Sequence, residues 1–285
     1  MLIPHPMHTL SPVWTPVPFP TQAPAHEGLL DVPGSRLWYW DTGGTGHPVI
    51  LLHAGTHSAA GWVYQQPVLA QSGYRVIAYS RRGYYRSAAA DPAEHARPAI
   101  GSDDLHQLIE HLALDKVDLV GAAQGAFYAV DYVLEHPQRV RSLTIVSSYL
   151  GITDEDYMAV NQRLRPAFFA TLPHDFQELS PSYRAGDPAG HAAWLALAKQ
   201  AIPGVRITPG RKQPLTWARL ETIQRPTLLM TGDSDLYTPP SLLRMQAQHM
   251  PHADVHVIAE AGHSPYWEQP KAFNEVLLGF LAKQK

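Results

Sequence analysis

The 285-residue sequence contains no cysteine. Disulfides, thiolate-held metal sites and a cysteine nucleophile are thereby excluded, while the redox compartment stays open. Long apolar runs are missing too: no stretch reaches the roughly 18–20 consecutive apolar residues of a membrane helix, so no membrane partner is expected. The opening segment MLIPHPMHTLSPVWTPVPFP lacks a basic n-region and an unbroken apolar core, and its prolines would break a signal or anchor helix. A cytoplasmic protein with an extended leader is the expectation. Excess charge of one sign is also absent. With 22 Lys+Arg against 25 Asp+Glu the formal net charge is −3, which offers no basic field for nucleic acid.

What is present reads as a globular α/β chain. Hydrophobic residues make up 45% and charged residues 16%, enough apolar surface for a sizeable core, and the length fits one such domain with an insertion. Residues 1–27 form a Pro-rich arm, read as a passive surface wrap. Two short strands are expected in Gly28 to Thr42 around the turn Val32-Pro33-Gly34-Ser35. Apolar runs beginning at Val49, Arg75, Val117, Ser142, Thr227 and Val255 suit strands buried on both faces of a parallel sheet. Helical stripes alternate with them: Leu105, Leu108, Ile109 and Leu112 behind a Ser102 cap; Ala126, Ala129, Val130 and Val133; Phe273, Val276, Leu277 and Leu281. The alternation stops over residues 150–222, which carry helical segments at Tyr157 to Arg165 and His191 to Gln200 but no strong strand signal. That stretch is expected to be a helical cap on a core of residues 28–149 and 223–285, roofing a pocket at the strands' C-terminal edge.

The segment Val117-Asp-Leu-Val-Gly121-Ala122-Ala123-Gln124-Gly125-Ala126 runs from a buried strand into a helix through a turn flanked by glycines. It resembles the nucleophile elbow of the α/β-hydrolase family, small-x-nucleophile-x-small, with Ala123 at the nucleophile position. Alone it would be weak, because Gly-rich turns between strand and helix are common. Three further segments follow the family's pattern. His53-Ala54-Gly55-Thr56 resembles its His-Gly loop, with Ala54 in place of the usual glycine; Gly232-Asp233-Ser234-Asp235 resembles its acid loop; Gly262-His263 resembles its histidine loop. The order nucleophile position, acid, base is that of the fold. The resemblance covers about Gly28 to the C-terminus apart from the cap. It implies a mostly parallel, eight-stranded-type sheet flanked by helices, with Asp235 as acid (Asp233 second), His263 as base, and the backbone N–H groups of Gly55 and Gln124 as an oxyanion hole. Arg82-Gly83-Tyr84-Tyr85-Arg86-Ser87 is a weaker echo of Asp-x-Arg-Gly-x-Gly-x-Ser, with Ser80 and Tyr85 where Asp and Gly usually stand.

Blander readings stand beside these. His53 is expected to be a loop histidine bonded to backbone. His252 and His256 lie in a strand-like stretch and cannot form a helical zinc pair. Trp194, Tyr266, Trp267, Phe168 and Phe169 suit core packing as well as pocket lining. Gly43-Gly44-Thr45-Gly46 precedes a strand and so reads as a loop, not a phosphate cradle.

Alanine at 123 cannot supply a hydroxyl nucleophile. Either the chain is a serine hydrolase inactivated by Ser-to-Ala at 123, the favoured account because the other parts of the site remain, or it naturally lacks the serine. In the second case His263 and Asp235 could act as a base in a lyase or cofactor-free oxygenase, or the fold could serve as a ligand-binding protein. The expected partner is a small, largely apolar carbonyl substrate: an ester or lactone slightly ahead of a carbon–carbon bond in a diketone. No cofactor or metal is implied, since this chemistry needs only side chains and water. Oligomeric state is not legible.

Overall fold

The computed structural model describes residues 15–88, 99–204, 208–250 and 252–284. Its sheet is built from β1 (His26–Val32), β2 (Ser35–Asp41), β3 (Pro48–Leu52), β4 (Arg75–Tyr79), β5 (Val117–Ala122), β6 (Val140–Val146), β7 (Thr227–Gly232) and β8 (Ala253–Ile258). The strand order is β1-β2-β4-β3-β5-β6-β7-β8. The first two strands pair as an antiparallel hairpin and β2 joins β4 antiparallel; every later pairing is parallel. The chain runs outward in both directions from β3, so the switch point of the sheet lies between β3 and β5, where open α/β sheets place ligands.

Helices α1 (Gln66–Gln71), α2 (Gly101–His111) and α3 (Gln124–Glu135) connect the early strands. Between β6 and β7 the described residues form helices, α4 (Glu155–Leu164), α5 (His174–Glu178), α6 (Pro181–Gly186), the 14-residue α7 (Pro188–Ala201) and α8 (Trp217–Leu220). The sheet is completed by α9 (Pro240–Gln248), α10 (Pro265–Glu268) and α11 (Pro270–Ala282). Several of the helices between β6 and β7 start on side-chain caps. Asp154 accepts from Tyr157 N at 2.8 Å, Ser180 from Tyr183 N at 3.1 Å, and Asp187 from Gly190 N at 2.9 Å, the last two followed by Pro at the first helical position. Ser102, by contrast, does not cap α2. Ile100 occupies that position and the Ser102 hydroxyl turns to Glu135.

Alternation along each central strand feeds two apolar layers. Ile50, Leu52 and Leu119 face a layer with Leu105, Val130 and Leu143, while Val49, Leu51 and Val120 face one with Leu228, Phe273 and Leu277. Burial on both faces is why these strands read as continuous apolar runs. The described part of the arm packs on the body: Val17 O accepts from Tyr64, and the Phe19 ring lies 5.5 Å from that of Trp267. No helix of the described residues is long and apolar enough to cross a membrane.

Two glycines let β3, β5 and α3 close on one another. A Cβ on Gly125 would sit 2.2 Å from the Leu52 carbonyl oxygen, and one on Gly121 would sit 2.6 Å from the Ala126 Cα. Backbone cannot yield as a side chain does, so Gly125→Ala should lower stability by about 3 kcal/mol. Gly279→Ala, on the open face of α11 with nothing within 4 Å, should instead raise it by about 0.5–1 kcal/mol. Urea midpoints at unchanged slope would show both; equal midpoints for the two variants would refute the packing argument.

Candidate active site

The C-terminal ends of β3, β5, β7 and β8 bring the sequence-derived residues to one cavity of about 210 Å3. Gly55, Ala123, Gln124 and His263 line it, with Asp235 directly behind the imidazole. Ala123 bridges β5 and α3 with φ 48° and ψ −111°, a left-handed conformation that strains any residue with a Cβ. It is held there by its N–H on Val146 O at 2.8 Å and by its carbonyl, which accepts from the Ser148 hydroxyl at 2.7 Å. The turn places residue 123 in the cavity lining and sets the Gln124 N–H at the start of α3.

Asp235 and not Asp233 meets the histidine. His263 Nδ1 lies 2.9 and 3.0 Å from the two Asp235 oxygens, and the carboxylate also accepts from Thr231 Oγ1 at 2.9 Å, Tyr237 N at 2.7 Å and Thr238 N at 3.0 Å. Asp233 caps the Ala261 N–H at 3.2 Å. Burial alone would raise Asp235, but the adjacent imidazolium charge and these donors hold it below its ordinary value. Burial likewise pulls His263 down, and the Asp235 charge and hydrogen bond outweigh it, so the imidazole sits above its ordinary value. Nδ1–H therefore belongs to Asp235, and Nε2 is the atom left for chemistry.

The loop carrying His263 is stapled by Glu268. Its Oε1 accepts from Gly262 N at 2.9 Å and Ser264 N at 3.3 Å, and its Oε2 from Ser180 N at 2.7 Å. Burial nonetheless pushes this carboxyl up to about 7 from 4.5. A raised folded-state pKa means the native chain binds the proton more tightly. The associated stability is complete below the unfolded value and is lost as pH rises through about 7. Between pH 5 and 8 the loss should be on the order of 2–3 kcal/mol. Glu268→Gln, lower at the outset because an amide cannot accept from all three N–H groups, should show a correspondingly flatter pH dependence. Parallel urea-stability curves for the two proteins would contradict this.

Beside Gly55 and Gln124 the structure adds a residue that the sequence reading passed over. Arg81 is 2% exposed; its guanidinium donates to His53 O, to Ala54 O at 3.1 Å and to Gln124 Oε1 at 3.2 Å, and lies over the Tyr84 and Tyr128 rings. Among the described residues no carboxylate pairs with it. Ala54 O and Gly55 N–H share one peptide unit, so charge drawn onto that oxygen strengthens the Gly55 donor. His53 is the backbone-bonded loop residue anticipated above: Nδ1 lies 2.7 Å from Ala54 O, Nε2 accepts from Arg81 N at 3.1 Å, and burial, then the Arg81 charge, hold its pKa well below the ordinary value. Arg82 forms a buried pair with Asp104 at 2.7 Å, and Ser87 accepts from Trp38 N, so the Arg-Gly echo serves architecture.

The aromatic residues singled out in the sequence do not form the lining. Trp194, Tyr266 and Trp267 are core, Phe169 packs against Tyr237, and Phe168 is 62% exposed. Phe127, Tyr149 and Tyr237 line the cavity instead, together with Thr56, Ser147, His174 and Glu178. Phe127 was accessible to helical periodicity, one turn beyond Ala123 on the same face. Among the described residues no cluster of His, Asp and Glu is arranged to hold a metal ion.

Comparison with known proteins bears on the family and the fold. Residues 47–270 match the family model described as alpha/beta hydrolase fold. A 2-hydroxy-6-oxononadienedioate/2-hydroxy-6-oxononatrienedioate hydrolase of Pseudomonas putida is 28% identical over 276 residues, 90% of this chain and 93% of that protein. Among solved structures, a bromoperoxidase from Bacillus anthracis superposes with a TM-score of 0.72 at 26% identity, covering 90% of this chain and all (100%) of the other. Est816, described as an N-acyl homoserine lactone degrading enzyme, gives 0.70 at 26% identity, covering 89% and 100%. With strand order, elbow and the match over residues 47–270 in agreement, the chain belongs to the α/β-hydrolase family.

Proposed function

We propose that the cavity is a serine-hydrolase site for a small carbonyl compound, an ester or lactone ahead of a diketone carbon–carbon bond, and that the chain with Ala123 binds such a compound without acylation. The observation that carries this reading is one cavity lined by the strained position 123, by an imidazole anchored through Nδ1 on Asp235, and by Gly55 and Gln124. With a serine at 123 the hydroxyl would attack the carbonyl carbon while His263 Nε2 takes its proton. Asp235 would steady the imidazolium, and Gly55 and Gln124 N–H would hold the oxyanion. The volume, about 210 Å3, is below the roughly 300–1,000 Å3 of pockets for drug-sized ligands and suits a metabolite. The relatives named above include a hydrolase and a lactone-degrading enzyme, which supports the substrate class.

Other lining hydroxyls do not replace the serine. Thr56 donates to Glu178 at 2.9 Å, and Ser147 Oγ is sealed from solvent without a partner. A fluorophosphonate probe should therefore leave the chain unlabelled and label Ala123→Ser once, at residue 123, as read by intact mass. An unlabelled serine variant would refute the hydrolase reading. A second reading is favoured by the intact His263–Asp235 pair: the imidazole acts as a base on water or on the substrate, without a nucleophile at 123. It requires turnover by the Ala123 chain that disappears in His263→Ala.

A further inference from the structure

Asp104, Asp118, Asp131 and Glu268, buried away from the cavity, each face an arginine or several backbone donors, although Asp131 Oδ2 is left without a hydrogen bond. Asp104 pairs with Arg82, Asp131 with Arg211 and Asp118 with Arg141, at 2.6–2.8 Å, and Glu268 takes three backbone donors. Glu178 differs. It is 4% exposed, it lines the cavity from the cap side, and its carboxylate has a single hydrogen bond, from Thr56 Oγ1 to Oε2 at 2.9 Å. No Lys or Arg among the described residues pairs with it, and Oε1 is neither bonded nor sealed. A largely buried carboxyl with one unbonded, unsealed oxygen beside the cavity is a ready acceptor for a donor that enters there.

Its position is fixed by backbone. The Glu178 carbonyl accepts from His263 N at 2.6 Å, and a Cβ on Gly262 would lie 2.5 Å from that same oxygen. The end of α5 is thus locked onto the histidine loop, and the side chain leaving it points toward the space that a bound molecule would share with His263. Burial raises the Glu178 carboxyl above its ordinary value, against the opposing pull of His263, Thr56 and His174.

We propose that Glu178 is a recognition point for a hydrogen-bond donor on the ligand, a hydroxyl or a protonated amine on the cap side of the reacting carbonyl. The site then selects hydroxy- or amino-bearing carbonyl compounds over plain alkyl ones, and rejects a carboxylate turned toward the cap. This narrows the largely apolar substrate expected from sequence, and it rests on the carbonyl reading only for the reacting group.

Two probe pairs test it by calorimetric or NMR titration of the Ala123 chain. The first, n-butylammonium against n-butyrate, contains no ester and reads residue 178 through the change in the ratio between the parent chain and the residue 178 variants. The second is methyl 3-hydroxybutyrate against methyl butyrate. In each pair the donor-bearing member should bind at least about tenfold more tightly, since a pocket built around a polar partner discriminates against a ligand that leaves it unpaired. Both ratios should fall at least about tenfold in Glu178→Leu, and the ammonium preference should fall in Glu178→Gln, which keeps the Thr56 acceptor and guards against simple misfolding. Ratios unchanged by either substitution, or no preference in the parent chain, would overturn the subsite. Selective ammonium binding without ester binding would keep the subsite and remove the carbonyl reading; ester binding indifferent to residue 178 would do the reverse.

Discussion

Serine at position 123 should raise the rate of activated-ester cleavage by about 10⁴–10⁶-fold over the chain with alanine, judged from the cost of removing the nucleophile in an unrelated serine protease. The change adds one oxygen to a residue that already lines the cavity at φ 48°, so the elbow need not rearrange. What it restores is a group whose proton His263 Nε2 can take, with Nδ1 already committed to Asp235 at 2.9 Å. The measurement is kcat for p-nitrophenyl acetate in parent, Ala123→Ser and Ala123→Ser/His263→Ala. The double variant should lose most of the gain, because serine without its base is a poor nucleophile. A serine variant no faster than the parent would remove the hydrolase reading, whatever the fate of the Glu178 subsite.

Asp235→Asn in the serine background should lower kcat by about 10⁴. The carboxylate receives Thr231 and two backbone N–H groups besides His263, and an amide at that place would turn its own N–H₂ toward one of those donors or toward Nδ1. The imidazole would then adopt the tautomer with its proton on Nε2, where a base needs a lone pair. The pH profile supplies an independent check. His263 lies above its ordinary 6.5, held up against burial by the Asp235 charge, so the base is free only at higher pH and activity should climb through a midpoint above 6.5. Removing the carboxylate removes the largest influence raising it. The midpoint should move down as the rate falls, and an unmoved midpoint would mean that residue 235 does not govern the base.

The features legible in the sequence were those imposed by short-range constraints. Strands such as Val49 to Leu52 are apolar at every position because both faces are covered, and Gly121 and Gly125 are small because backbone lies against them. Asp235 and His263 could be proposed because each directly follows a strand end of readable pattern. Glu178, Arg81 and Glu268 could not. Arg81 and Arg82 stand side by side and look like a solvated basic pair, yet the end of β4 turns both inward, one to carbonyl oxygens and the other to Asp104. Glu178 enters the site only because a cap helix happens to end on the histidine loop, a meeting of segments 85 residues apart that no local period encodes. The tryptophans stayed undecided in the sequence because a large ring is equally at home in a core and in a pocket; Trp194 rests on His57, outside the cavity.

The buried guanidinium of Arg81 has a consequence for any ligand. Water can neither screen it nor rotate to oppose it, and its nearest partners are neutral oxygens, so it sets up a standing field across the Ala54–Gly55 peptide before anything binds. An alkoxide or enolate forming between Gly55 and Gln124 would be the first full negative charge placed in that field. The protein has already paid the reorganisation during folding, and the reacting molecule collects the benefit without waiting for solvent to turn.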